Sequence, residues 1–146
     1  MLPIIAHRVA RVQAVTQDRR ASAFLLVVAA VFLPLFALPL FIDPYWWAER
    51  FGWDTGPETD LGNYLGRCLG AVAIAIAGTA LVAVRDPARY RALFTILAVA
   101  GALLAIVHLR GLIEDSQPLV EHLETAMYAG FAALAWWARP PEPASG

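Results

Sequence analysis

The chain has 146 residues, 60% of them hydrophobic and 16% charged, a composition that a soluble domain of this size could hardly keep in water and that indicates a membrane protein. All eleven basic residues other than histidine are arginine, which excludes a lysine nucleophile, and Cys68 is the one cysteine, which excludes an internal disulfide or a multi-cysteine metal site. The net charge of −1 gives no reason to expect a nucleic-acid partner.

Residues 1–20 precede the first apolar run and carry four arginines, with no small-residue cleavage site of a signal peptide after them. Leu2, Ile5, Val9 and Val12 recur at helical spacing. This spacing predicts an amphipathic helix that lies among the headgroups at the cytoplasmic face. A frayed basic tail is the alternative.

Four apolar runs are each about as long as the roughly 20 residues that a membrane-crossing helix needs. They predict an all-α fold, a four-transmembrane-helix bundle over residues 21–138, followed by a tail at 139–146. The predicted spans are about 21–42, 62–84, 92–109 and 119–137. Pro34 and Pro39 are expected to kink the first span, since each removes a backbone donor.

The connection from Asp43 to Asp60 combines turn-forming residues, five acidic residues and several aromatic residues. Trp46, Trp47 and Trp53 predict an interfacial aromatic loop with a short helix, which would hold the depth of the bundle or meet a partner. An aromatic lid over a ligand is the alternative.

The second span begins with glycines four residues apart, Gly62, Gly66 and Gly70, which predict a flat helix face for close packing against a neighbouring backbone. Arg67 stands next to the middle glycine. A guanidinium at this depth must face protein or water rather than lipid.

The arginines set the expected orientation. Four precede the first span, three lie in residues 85–91 and one follows the fourth span, whereas the other two connections are acidic. Both termini are therefore expected in the cytoplasm, with a bacterial inner membrane as the expected location. This orientation places one set of polar residues in a single outer layer: Arg67, His108, Glu121, His122 and Glu124.

Glu124 lies about 7 Å inside the fourth span, where a carboxylate must be protonated or paired. Arg67 is the full positive charge expected at a matching depth, so the sequence predicts an Arg67–Glu124 ion pair that is structural. Glu121, Glu124 and Tyr128 share one face of the fourth helix. In the alternative interpretation the pair, with Tyr64, Tyr128 and Glu121, lines a cleft for a quinone or a lipid.

A metal or haem site would draw on His108, Glu121, His122 and Glu124. However, His122 points roughly 100° away from Glu121 on the helix, and a histidine at a membrane interface is ordinary. We therefore predict no metal and no bound cofactor. His108 and His122 would be the candidate ligands if a metal were present.

The second half of the chain resembles the DoxX-like family of small four-helix membrane proteins. The resemblance rests on Leu65–Gly70 (LGRCLG), on Arg85–Arg91 (RDPARYR), and on an acidic residue, Glu121 or Glu124, early in the last helix. It implies a four-helix bundle and, for some members, a link with quinone-coupled or redox membrane complexes. It implies no catalytic residue here.

These features predict a non-catalytic accessory or structural subunit of a larger membrane assembly, in contact with membrane lipid and with other membrane subunits. A small-molecule-binding, redox-linked membrane protein is the alternative, with quinone, lipid or haem as the ligand. An enzyme with catalytic residues of its own is the least favoured interpretation.

Overall fold

The computed structural model describes the backbone of residues 2–114 and 119–142, and the side chains of residues 16–114 and 123–142. These described ranges contain helices and connections but no strand, which confirms the all-α prediction for them. The elements are α1 (Leu2–Phe32), a π-helical turn (Leu33–Ala37), α2 (Leu38–Ile42), α3 (Pro44–Arg50), α4 (Asp60–Ala83), α5 (Arg91–Ile113) and α6 (Leu119–Ala138).

Three helical stretches of the described residues are long and apolar enough to cross a membrane, namely Thr16–Ile42, Asp60–Ala83 and Arg91–Ile113. They coincide with the first three predicted spans. The 20-residue helix α6 occupies the position of the fourth, but the side chains of its first residues lie outside the described part of the chain.

Helix α1 begins at Leu2 and continues into the first span, so the structure has no helix boundary at residue 20. The amphipathic pattern of residues 2–12 lies outside the described side chains, and its position among the headgroups stays a prediction. Further along, the expected disruption at Pro34 takes the form of the π-helical turn Leu33–Ala37.

Helix α4 packs against the end of the first span along its glycines. A methyl group added at Gly70 would stand 2.7 Å from the Cα of Phe41, and one at Gly66 would stand 2.7 Å from Cγ of Pro44. Because real side chains do not approach this closely, only glycine permits this contact. The glycine face is therefore occupied by the chain's own α2–α3 corner.

Helices α5 and α6 form an antiparallel pair with the most extensive contact in the fold. Gly101 lies against Phe131 and Ala132, where an added Cβ would come within 2.8 Å of the Phe131 ring. The hairpin joins the first span through tilted aromatic contacts, with Phe131 5.6 Å from Phe24 and 5.4 Å from Phe32 between ring centroids.

The two helix pairs meet at one end, which we call the arginine-rich end. There Phe94 is fully buried among residues of all four long helices, including Leu25, Ala80 and Ala135. Ser22 Oγ donates to the carbonyl of Val84 at 2.8 Å, and Arg91 Nε donates to that of Pro140 at 2.9 Å. Away from this end α4 and α5 make little contact with each other.

Candidate functional site

The Asp43–Asp60 connection forms a structured corner that closes the opposite end of the molecule. Asp43 caps α3 by accepting a hydrogen bond from the backbone N–H of Trp46 at 2.9 Å. The Tyr45 hydroxyl accepts a hydrogen bond from the Thr59 backbone N–H at 2.9 Å, while Thr59 Oγ1 caps α4 by accepting from the N–H of Gly62 at 3.0 Å. The predicted short helix in this loop is thus present as α3.

The three tryptophans of this corner have different environments. Trp47 packs against Phe36 and Phe51, and its indole N–H donates to the carbonyl of Leu35 at 2.8 Å. Pro39, four residues after Leu35, lacks the N–H that would bond this carbonyl in an α-helix. Trp47 therefore supplies the donor that Pro39 removes. Trp46 is about half exposed, with the Arg50 guanidinium 5.3 Å from its ring, and Trp53 is partly buried.

On α5 and α6 three side chains form what we call the buried cluster: His108, Glu124 and Tyr128. Glu124 is 7% exposed, and its Oε2 lies 3.3 Å from Nε2 of His108. The two side chains lie within the distance range of an ion pair. The His108 ring also packs on Tyr128, with 4.8 Å between centroids.

This geometry corrects the predicted Arg67–Glu124 pair. Glu124 contacts His108 within the α5–α6 hairpin. Arg67, in contrast, is exposed on α4, a helix that does not pack extensively on α6. The physical reason is rotational: Arg67 lies on the side of α4 turned away from α5 and α6. The predicted single polar layer is thus divided between two places. The side chains of Glu121 and His122 lie outside the described residues.

Arg67 belongs to what we call the Arg67 stripe, formed on one outward face of α4 by residues three and four apart. The stripe consists of Asp60, Asn63, Tyr64, Arg67 and Cys68, and with Phe41 and Ala71 it lines a shallow surface depression of about 510 Å³. Tyr64 is 65% exposed, so it and the buried Tyr128 do not share a cleft. No hydrogen bond or ion pair within the described ranges involves Arg67.

A third feature, which we call the lateral groove, separates α4 from α5 and has a volume of about 330 Å³. Its sides are apolar residues such as Val72 and Ile76 of α4 and Leu104 of α5, and Phe32 and Phe131 form part of its floor. Tyr128 of the buried cluster also lines it, which links the two features.

The described residues contain no group of three or more histidine, cysteine or acidic side chains placed to hold a metal ion. His108 and Glu124 provide two potential ligands. His122 and Glu121, the other two residues of the metal hypothesis, lie outside the described side chains.

Sequence reasoning missed the role of His108, which it assigned to a metal site or to the membrane interface. A usable signal was present: His108 and Glu124 both lie eight residues from position 116, near the centre of the predicted α5–α6 turn. In an antiparallel hairpin, residues equidistant from the turn lie at the same level.

Comparison with known proteins yields no matching family model, no similar curated protein and no similar solved structure. The DoxX-like resemblance therefore stays a prediction.

Proposed function

We propose that this chain is a four-span membrane protein with both termini in the cytoplasm, and that it acts as a non-catalytic accessory subunit of a larger membrane assembly. Helix α6 supplies the fourth span, since its 20 residues match the length that a hydrocarbon core requires. A bacterial inner membrane is the proposed location.

Charge asymmetry supports this orientation. Residues 1–20, 85–91 and 139–146 belong to the arginine-rich end or adjoin it in sequence, and they contain eight arginines and three acidic residues, a net charge of +5. The rest of the chain contains three arginines and nine acidic residues, a net charge of −6. The two sums give the chain's total of −1. Positively charged segments remain preferentially on the cytoplasmic side.

The observation that carries the accessory role is the outward position of Arg67. Arg67 lies seven residues beyond Asp60, about 10 Å along the helix axis at 1.5 Å per residue. An arginine at such a depth normally faces the interior of a bundle or an oppositely charged group, because burying its charge in lipid is costly. A partner helix that brings a carboxylate to the Arg67 stripe would meet this requirement.

The glycine face supports the same choice of surface. Glycine stripes often mediate association between chains in membranes. Here the glycine face of α4 is covered by Phe41, Pro44 and Tyr45 of the same chain. This leaves the Arg67 stripe as the polar face of α4 that is open to a partner.

The test is purification of the tagged protein from its native host in a mild detergent, followed by mass spectrometry of the associated chains. We expect a membrane protein at constant stoichiometry with the wild type and with Arg67→Lys, and its loss with Arg67→Gln. The matched control is Arg110→Gln, because Arg110 is exposed near the same end but lies outside the stripe and pairs with Glu114. A wild-type protein that elutes alone would refute the accessory role.

A further inference from the structure

Two arginines at the arginine-rich end lie over tryptophan rings where α1 meets the end of α6, and we call them the stacked arginines. Cζ of Arg20 lies 4.7 Å from the ring centroid of Trp137, and Cζ of Arg139 lies 5.0 Å from that of Trp136. The Gln17 side chain, one turn before Arg20, donates to the carbonyl of Arg139 at 3.0 Å. Both stacked arginines therefore belong to the same contact between α1 and α6.

The guanidinium groups of the stacked arginines have no hydrogen-bond acceptor and no ion-pair partner among the described residues. The Nε atom of each is enclosed by protein, whereas the Nη atoms are not. A guanidinium that is held against an aromatic ring loses less side-chain entropy when it binds an anion than a freely rotating one does. The Nη groups are thus positioned donors that the described part of the chain leaves unused.

The acidic side chains of this end do not neutralise the stacked arginines. Glu142 is hydrogen-bonded to Arg91, which lowers the pKa of Glu142 most, and Arg139 adds only a weaker attraction. Six arginines and three acidic residues, a net charge of +3, lie in the described segments 16–20, 85–91 and 139–142. The remaining positive charge favours an anion as the ligand of the unused donors.

The level of the stacked arginines in the membrane indicates where this anion comes from. Arg20 directly precedes the first apolar run, and Arg139 directly follows the last residue of α6. Trp136 and Trp137, each more than half exposed, lie in the last turn of α6. Exposed tryptophans at the ends of membrane helices lie at the level of the lipid headgroups. The stacked arginines are therefore at the level of phospholipid phosphates.

We propose that the stacked arginines bind the phosphate of an anionic phospholipid such as phosphatidylglycerol, and that Trp136 and Trp137 hold the two guanidinium groups in place. Phosphate oxygens match the donor geometry of arginine. Phosphatidylcholine carries the same phosphate but adds a quaternary ammonium group, which the positive charge of this end repels. The site is distinct from the Arg67 stripe, so it does not depend on the accessory role.

The experiment uses the full-length protein in a non-ionic detergent, titrated with phosphatidylglycerol or with phosphatidylcholine of the same acyl chains. Native mass spectrometry measures the fraction of protein with bound lipid. Because each arginine near a membrane surface contributes about fivefold to the affinity for anionic lipid, the double variant Arg20→Gln, Arg139→Gln should weaken phosphatidylglycerol binding by about thirtyfold. Binding of phosphatidylcholine, which is expected to be weaker in the wild type, should change little.

The matched control is the double variant Arg85→Gln, Arg89→Gln. It removes the same charge from the same end, but both residues are exposed and belong to the α4–α5 turn rather than to the α1–α6 contact. We expect a fall in affinity of no more than about threefold, because salt screens exposed charges away from the site.

The double variant Trp136→Leu, Trp137→Leu tests the role of the rings, since it keeps every charge. It should weaken phosphatidylglycerol binding by about fivefold through the loss of both cation–π contacts. Trp46→Leu removes the corresponding contact with Arg50 at the opposite end and should have no effect.

Arginine modification by phenylglyoxal locates the site in the wild-type protein and decides the matter if the variants do not fold. Phosphatidylglycerol vesicles, compared with phosphatidylcholine vesicles, should slow the modification of Arg20 and Arg139 more than that of Arg85 and Arg89. Peptide mass spectrometry measures the four rates.

Four outcomes would overturn the proposal. The first is equal binding of the two lipids to the wild type. The second is equal weakening by the two double arginine variants, which indicates net charge alone. The third is displacement of bound phosphatidylglycerol by an equal concentration of inorganic phosphate, which indicates a site for a soluble anion. The fourth is equal slowing of all four arginines in the modification experiment.

Discussion

The two helix pairs of this protein are held together by different means. The first span and the α2–α3 corner meet α4 along a seam where Gly70 lies against the backbone of Phe41, Gly66 against the Pro44 ring and Gly62 against the Tyr45 side chain. The α5–α6 seam also has a close glycine contact, at Gly101, but it adds the buried cluster of His108, Glu124 and Tyr128. We call these the steric seam and the polar seam.

This difference has a physical consequence for how each seam tolerates change. Close packing in the steric seam depends on the absence of side-chain atoms, and at Gly70, where the neighbouring atoms are backbone, an added side chain must move a helix. In the polar seam, His108 and Glu124 are buried next to each other, and removing one member of a buried pair is destabilising. The two seams should therefore respond to different substitutions. Added volume should destabilise the steric seam, and removal of a polar side chain should destabilise the polar seam.

The largest effect is expected from Gly70→Leu in the steric seam. The new side chain would collide with the backbone of Leu40 and Phe41, which cannot rotate aside. Overpacking costs about 1–3 kcal/mol and sometimes more, which corresponds to a fall in melting temperature of roughly 10 °C or to loss of the folded protein. The measurement is the fraction of monodisperse protein that remains after heating in detergent.

Gly78→Leu provides the control on the same helix. A Cβ at Gly78 meets nothing within 4 Å, so this variant should melt like the wild type. Equal destabilisation by the two substitutions would show that the glycine seam does not hold α4 in place.

The second effect concerns the polar seam. Glu124→Ala leaves His108 without the carboxylate that lies 3.3 Å from it, in a site where the His108 side chain is 14% exposed. Removing one member of a buried pair costs about 3–5 kcal/mol in soluble proteins, and about 1–2 kcal/mol is the scale of polar contacts between membrane helices. We expect a destabilisation nearer the lower range, measured by unfolding in a denaturing detergent.

Glu114→Ala is the matched control, because Glu114 pairs with Arg110 at an exposed position. Such exposed pairs contribute about 0.3–0.5 kcal/mol. The double variant His108→Ala, Glu124→Ala sharpens the result: if the two residues act as a pair, it should be less destabilised than the sum of the single variants. Strict additivity would contradict the polar seam.

A smaller effect is expected from Trp47→Phe. Phenylalanine keeps most of the ring contact with Phe36 and Phe51 but lacks the indole N–H that donates to the Leu35 carbonyl. The loss of one hydrogen bond of this kind costs about 1 kcal/mol. Trp46→Phe is the control, since the Trp46 ring is half exposed, and hydrogen exchange of α2 is the measurement. Faster exchange in both variants to the same extent would exclude a specific role for the Trp47 indole.

The first three predicted spans follow from apolar length alone, and the structure places helices at these positions. Their ends differ from the predicted ends by four residues or fewer, with one exception. The first candidate span starts at Thr16 rather than at residue 21. The glycine seam also follows from the sequence, because a spacing of four residues aligns Gly62, Gly66 and Gly70 on one face. The sequence does not reveal which segment packs against that face, because helical periodicity does not identify the partner.

The error over Arg67 has a definite cause. Its pairing with Glu124 was predicted from depth and charge, which fix the level of a residue along the membrane but not the direction in which it points. The packing order of helices decides that direction, and α4 packs on the first span rather than on α6. The short connection from α4 to α5 would also favour contact between these two helices, yet the structure separates them by the lateral groove.

The smallest effect concerns the attachment of the segment after α6 to the start of α5. Arg91 donates to the carboxylate of Glu142 at 2.5 Å, and this hydrogen bond and charge lower the pKa of Glu142 below its ordinary value of 4.5. Because the pKa is lowered on folding, the contact stabilises the attached state above pH 4.5 and is lost as the pH falls through the lower, folded pKa. Protection of the backbone N–H groups of Arg139 and Glu142 from hydrogen exchange should therefore decrease in acid, after correction for the intrinsic exchange rate; Pro140 and Pro141 have no N–H. Glu142→Gln should remove this pH dependence while Arg91 Nε still donates to the carbonyl of Pro140, so the polar seam itself should stay folded. A wild-type protection that is independent of pH down to values well below 4.5 would show that the ion pair does not contribute to holding this segment.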